Sequence, residues 1–96
     1  MLRNYETMYI IRPQLEEEAI DAVVKKFDDH IVKNGGVVEK IEKKGKKRLA
    51  YEVKDHRDGF YVLMNFQLDP GQITELDRAF KLSDEVIRHI VVRNEG

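Results

Sequence analysis

Five cations fall within six residues at Lys43-Lys44-Gly45-Lys46-Lys47-Arg48, the densest chemistry in the chain. Cations at that spacing neutralise successive phosphates, release counterions and give salt-dependent binding to a polyanion. Lysines on an edge strand also discourage pairing with foreign sheets, but five in six residues exceed what that purpose requires. The other reactive side chains form no constellation. His30, His56 and His89 stand far apart in sequence without a second ligand at metal spacing, so neither a metal nor a cofactor is expected. Cysteine is absent, and Ser83, Thr7 and Thr74 sit in no nucleophile motif. Acyl-phosphate hydrolysis would require a glycine-rich phosphate loop after the first strand, and Arg12-Pro13-Gln14-Leu15 is not one. Asp28-Asp29 and Asp84-Glu85 read as solvated surface. The expectation is a protein without catalysis or a small-molecule substrate.

The net charge of −1 hides an uneven distribution. Residues 43–57 carry seven positive charges against Glu52 and Asp55, whereas residues 14–30 balance at −4 and residues 69–85 at −3. Such a chain attracts a polyanion locally and repels it elsewhere, which orients docking. Ninety-six residues, 42% hydrophobic and 36% charged, suffice for one core and one domain. No apolar run approaches the roughly 20 residues of a membrane span, and Met1 to Tyr5 lacks a signal-peptide apolar region. No membrane association is expected.

The elements that position these residues follow from periodicity. Tyr5 to Ile11 is aromatic, β-branched and apolar on both parities, as a central strand is. Leu15, Ala19, Ile20, Val23, Val24, Phe27 and Ile31 recur at helical spacing, with Glu16, Glu17 and Glu18 in the first turn and Asn34-Gly35-Gly36 as the stop. Val37 to Val53 reads as one long strand, bent or bulged near Gly45, with part of it projecting. A hairpin tipped at Lys44-Gly45-Lys46 competes with that reading on poorer turn chemistry, and Asp55-His56-Arg57-Asp58-Gly59 is the expected turn. Phe60 to Leu68 is a second strand apolar on both parities. Asp69-Pro70-Gly71-Gln72 opens a helix with Asp69 as cap and Gln72 able to close a capping box; Ile73, Leu76 and Phe80 form its stripe. Val86 to Arg93 is the last strand.

The order strand, helix, strand, strand, helix, strand predicts an α+β ferredoxin-like sandwich: a four-stranded antiparallel sheet with both helices on one face. The first and third strands are then central, and the basic second strand lies on an edge. Met8, Ile10, Tyr61 and Leu63 are expected to point away from the helices, and apolar groups on that face imply a protein partner. Gly59 to Phe66 occupies the place of the aromatic motif of RNA-recognition motifs, but Asp58 replaces its basic residue and Tyr61 fills its small-residue slot. Base stacking on the sheet is therefore not expected.

The ordered set Tyr5-Glu6, Met8 to Pro13, Gly45 to Val53, Asp58 to Tyr61 and Ser83 to Val92 resembles the ribosomal protein S6 family of the bacterial small subunit, over essentially all 96 residues. The Lys47-Arg48-Leu49-Ala50-Tyr51 run is its most specific part. The resemblance implies a structural component of the cytoplasmic ribosome, not an enzyme. It also implies binding to the central domain of small-subunit ribosomal RNA jointly with ribosomal protein S18. Carried over by position, Lys46, Lys47 and Arg48 match the family's basic motif, and Arg3, Arg88 and Arg93 match basic positions on its outer strands. Lys54 joins this RNA-binding set, while Met8, Ile10, Tyr61 and Leu63 are assigned to the protein partner from the strand pattern. Some family members carry a tail that wraps a neighbour; with only Asn94-Glu95-Gly96 after the last strand, tail contacts are not expected to transfer. A self-associating sandwich, forming a homodimer or binding a small ligand through its open face, is the alternative reading.

Overall fold

Alternation in the first strand decides which side of the sheet is covered. In β1 (Arg3–Ile11), Tyr5, Thr7, Tyr9 and Ile11 are buried on one face. Their antiparallel partners in β3 (His56–Leu68) are Phe66, Met64, Val62 and Phe60, of which the first three are fully buried. Helix α1 (Glu17–Lys33) lays Ile20, Val23, Val24, Phe27 and Ile31 onto this layer, and α2 (Ile73–Leu82) adds Leu76 and Phe80. The Phe27 and Phe80 rings stack at 4.2 Å, with the Tyr9 ring 5.4 and 5.0 Å from them. Two helices and the central strand thus meet at one aromatic contact, each such pair contributing about 0.5–1.5 kcal/mol beyond burial.

The structure, a computed structural model, describes residues 1–94; the tail reading at Glu95 and Gly96 lies outside the described residues. With β2 (Val37–Val53) and β4 (Val86–Arg93) the sheet order is β2-β3-β1-β4, antiparallel throughout, with a crossover through each helix. This is the expected ferredoxin-like α+β sandwich, with the basic strand on an edge.

Local chemistry sets the boundaries. α1 begins two residues later than the apolar stripe, at Glu17, and stops where Gly35 turns left-handed at φ +85° and donates to the Val32 carbonyl. Asp69 Oδ1 accepts from the Gly71 amide at 2.8 Å over a 3₁₀ turn at Pro70–Gln72. Gln72 returns no side-chain bond, so the expected capping box is replaced by this single acceptor.

The hairpin between β2 and β3 departs from expectation. Its turn is Lys54-Asp55, both left-handed at φ 49° and 66°, and Val53 pairs with His56. Positive φ at both central residues is the primed geometry whose twist matches a tight hairpin. His56, Arg57 and Asp58 belong to β3 rather than to a loop. Gly59 serves packing: a Cβ there would collide with Ile10 Cγ2. β2 is one strand bulged at Gly45 (φ +94°), as its length requires, and no turn forms at Lys44-Gly45-Lys46.

Candidate functional site

Seventeen residues of β2 run opposite the twelve from His56 to Gln67, so β2 carries surplus chain. One residue is absorbed between Val38 and Lys40, one at Lys44, and the rest between Arg48 and Val53. Bulges bend and over-twist a strand, and the last irregularity lifts the hairpin end out of the sheet.

That end lies over the face opposite the helices. Met8 pairs with Leu63 and Ile10 with Tyr61, all on this open face as expected. The face is not bare: Ile10 is only 8% exposed, and the other three are half-buried. Leu49, Tyr51 and Val53 reach over it from β2, leaving a cavity of about 230 Å³ between hairpin and sheet. Met8, Ile10, Tyr61 and Ile90 line its floor, Leu49 and Tyr51 its roof, whereas Leu63 lies outside it. Arg88, across the sheet on β4, donates a hydrogen bond to the Tyr51 hydroxyl, with its guanidinium carbon 5.4 Å from that ring's centroid. The sequence pattern alone does not assign Tyr51 and Leu49 to this face. Their alternation with Val53 was a visible signal, but its direction depends on the bulge.

The basic run divides into committed and uncommitted charges. Lys43 reaches Asp21 of α1 at 2.5 Å, a hydrogen bond that raises its pKa. Lys40 and Lys44 both meet Glu42, at 3.6 and 3.0 Å; the hydrogen bond from Lys44 leads in holding that carboxyl below its ordinary range. Lys46, Lys47 and Arg48 are exposed and make no ion pair among the described residues. They pair with Phe60, Gly59 and Asp58, so their side chains leave the edge alternately toward both faces. Lys54 stands exposed at the turn beyond them.

The remaining expected cations are spread along the sheet. Arg88 pairs with Ile10 at the hairpin end, whereas Arg93 pairs with Tyr5 and Arg3 with Leu68 at the opposite end. Five residues of β1 separate the two levels, about 17 Å at roughly 3.4 Å per residue. The structure therefore groups Lys46, Lys47, Arg48, Lys54 and Arg88, and places Arg3 and Arg93 apart from them.

The histidines do not converge. His56 meets Gln14 at 3.3 Å, and His89 turns to the helix side, stacks on Phe80 and bonds Asp77 Oδ1 at 2.6 Å. His89 thus ties β4 to α2 rather than facing the open side. Among the described residues no group of His, Asp and Glu is arranged to hold a metal, and no helix is long and apolar enough to cross a membrane.

This geometry, a ferredoxin-like sandwich with an apolar face roofed by its own hairpin and an uncommitted basic edge, defines a docking module. The family model described as Ribosomal protein S6 matches residues 4–93. The small ribosomal subunit protein bS6 of Moorella thermoacetica is 49% identical over 94 residues, covering 98% of this chain and 96% of that one. Its counterpart from Exiguobacterium sibiricum is 47% identical, covering 98% and 99%. A crystal structure of 30S ribosomal protein S6 from Thermotoga maritima superposes with a TM-score of 0.85 at 33% identity, covering 98% of this chain and 89% of that one. The C-terminal domain of the MgtC protein of Mycobacterium tuberculosis shares the fold alone, at a TM-score of 0.64 and 15% identity. The chain belongs to the ribosomal protein S6 family. It is a structural protein of the small ribosomal subunit, a cytoplasmic ribosome component and not an enzyme.

Proposed function

We propose that this chain binds the central domain of small-subunit ribosomal RNA jointly with ribosomal protein S18. The observation that carries this reading is the adjacency of a basic edge and a partly roofed apolar face. Among the described residues Lys46, Lys47 and Arg48 make no ion pair, and they stand at the edge beside an apolar open face containing Met8, Ile10, Tyr61 and Leu63. An apolar face adjoining a basic rim suits a protein that pairs with one partner and offers the composite surface to phosphates. Backbone and shape contacts dominate such RNA recognition. Lys46, Lys47, Arg48 and Lys54 form the principal RNA set, with Arg3 and Arg93 as a second contact at the far end of the sheet.

Footprinting of the RNA central domain, with and without S18, tests the joint mode. Protection that requires both proteins supports it; full protection by this chain alone overturns it. Sedimentation of the pure chain separates the alternative reading. A monomer that pairs on addition of S18 is expected, whereas a tight homodimer indifferent to S18 would favour self-association.

A further inference from the structure

The cavity under the hairpin has a shape and a charge that specify what enters it. Its volume of about 230 Å³ falls below the roughly 300–1,000 Å³ of small-molecule sites. It suits one apolar side chain, in the manner of the buried anchors that dominate protein interfaces. Met8, Ile10, Leu49, Tyr61 and Ile90 supply apolar contacts, and Ile90 is 54% exposed at the mouth. At the rim stands Arg88, exposed, whose hydrogen bond goes to the neutral Tyr51 phenol and which has no carboxylate within 4 Å among the described residues. A guanidinium binds a carboxylate bidentately and about twice as strongly as a neutral acceptor.

We infer that hairpin and sheet act as a jaw for a protein segment bearing one aliphatic or aromatic anchor flanked by an acidic residue. The anchor fills the cavity between Leu49 and Ile10, and the carboxylate takes Arg88 from Tyr51. Arg88 is thereby a protein contact, distinct from the RNA-binding rim of Lys46, Lys47 and Arg48. The inference rests on the proposal that the open face docks the S18 partner, and it names the point of anchoring.

The test measures affinity for purified S18 with three variants whose folding is checked by circular dichroism. Leu63→Glu charges the open face outside the cavity, Ile90→Trp crowds the cavity mouth with a larger apolar side chain, and Arg88→Met removes the rim charge while keeping its length. The jaw predicts that Ile90→Trp and Arg88→Met each weaken S18 pairing by about tenfold or more, and that Arg88→Met also reduces its salt dependence. If Leu63→Glu abolishes pairing while the other two stay within about twofold of the parent, below hot-spot magnitude, the jaw is refuted and face docking stands. If all three variants pair within about twofold of the parent, face docking fails and the jaw with it. An Arg88→Met variant that pairs normally with S18 but weakens RNA binding makes Arg88 an RNA contact and overturns the assignment.

Discussion

Arg88 of β4 hydrogen-bonds Tyr51 of β2, although these strands are the two edges of the sheet, with β3 and β1 between them. Three inter-strand spacings of about 4.8 Å separate the edges by roughly 14 Å, too far for one side chain to bridge within a flat sheet. The contact exists because the surplus residues between Arg48 and Val53 carry β2 out of the sheet plane and back over the open face. The over-long strand is therefore what converts a basic edge into a roof, and it puts the apolar cavity and the cations at the same end of the molecule.

The roof is held by a turn whose residue types fit it poorly. Lys54 and Asp55 both adopt positive φ, a conformation costing most L-residues roughly 1–2 kcal/mol and aspartate somewhat less. Asp55→Gly is expected to raise stability by about 0.5–1 kcal/mol, after allowing for glycine's greater freedom in the unfolded chain. The measurement is the urea midpoint at unchanged slope. A lower midpoint would mean that the Asp55 side chain holds the turn through contacts of its own.

What could be read in advance divides along physical lines. Both parities of Tyr5 to Ile11 and of Phe60 to Leu68 are apolar, and that local pattern identified the central strands and the outward direction of Met8, Ile10, Tyr61 and Leu63. Gly45 marked a bulge because a strand of that length must bend. The turn was misplaced because Asp58-Gly59 carries the stronger local turn signal, while Gly59 is in fact required by the nearby Ile10 side chain, a tertiary constraint. The split of the basic run was equally illegible. Lys43 is neutralised by Asp21, twenty-two residues earlier, only because α1 lies beside β2. The fold-over at Tyr51 depends on how many residues β2 has in excess of its partner, a comparison between strands that neither one encodes alone.

Tyr9 supplies a test of the core. Its side chain is fully buried and its hydroxyl has no hydrogen-bond partner among the described residues. Burial, with Asp28 adding repulsion, pushes the phenol far above its ordinary pKa. An unpaired buried hydroxyl costs about 1–3 kcal/mol, part of which returns when it is deleted with the ring retained. Tyr9→Phe is expected to leave stability unchanged or raise it by up to about 1 kcal/mol. In ultraviolet titration of the folded protein, Tyr9 should not ionise near pH 10. A loss of more than about 1 kcal/mol would reveal an acceptor, such as an internal water, at that oxygen.

The tie between β4 and α2 predicts a pH dependence of defined sign. Hydrogen bonds from His89, first, and Lys81 lower the pKa of Asp77 below its ordinary 3.8. A carboxyl with a depressed folded pKa contributes stability that is complete above the unfolded value and lost as pH falls through the folded one. Its side chain is 39% exposed, so solvent screening keeps the contribution to about 0.5–1 kcal/mol. Asp77→Asn should therefore cost that much at pH 7 and less near pH 2, by urea unfolding at both values. An equal gap at both pH values would show that Asp77 acts through packing rather than charge.

The division of the basic run yields a contrast within one strand. Removing a cation that neutralises a phosphate reduces the slope of log affinity against log salt by about 0.7–0.9 per contact. Lys43 and Lys44 already face Asp21 and Glu42, and recruiting them to RNA would expose those carboxylates to the phosphates. Lys46, Lys47 and Arg48 require no such exchange. Replacing these three with alanine is expected to flatten the salt slope of RNA binding by the S18 complex by about two to three units, whereas Lys43→Ala plus Lys44→Ala changes it by less than about one. Titrations at several salt concentrations give both slopes. Equal flattening by the two variants would mean that the internal ion pairs open on the RNA and that the whole run, rather than its second half, forms the contact.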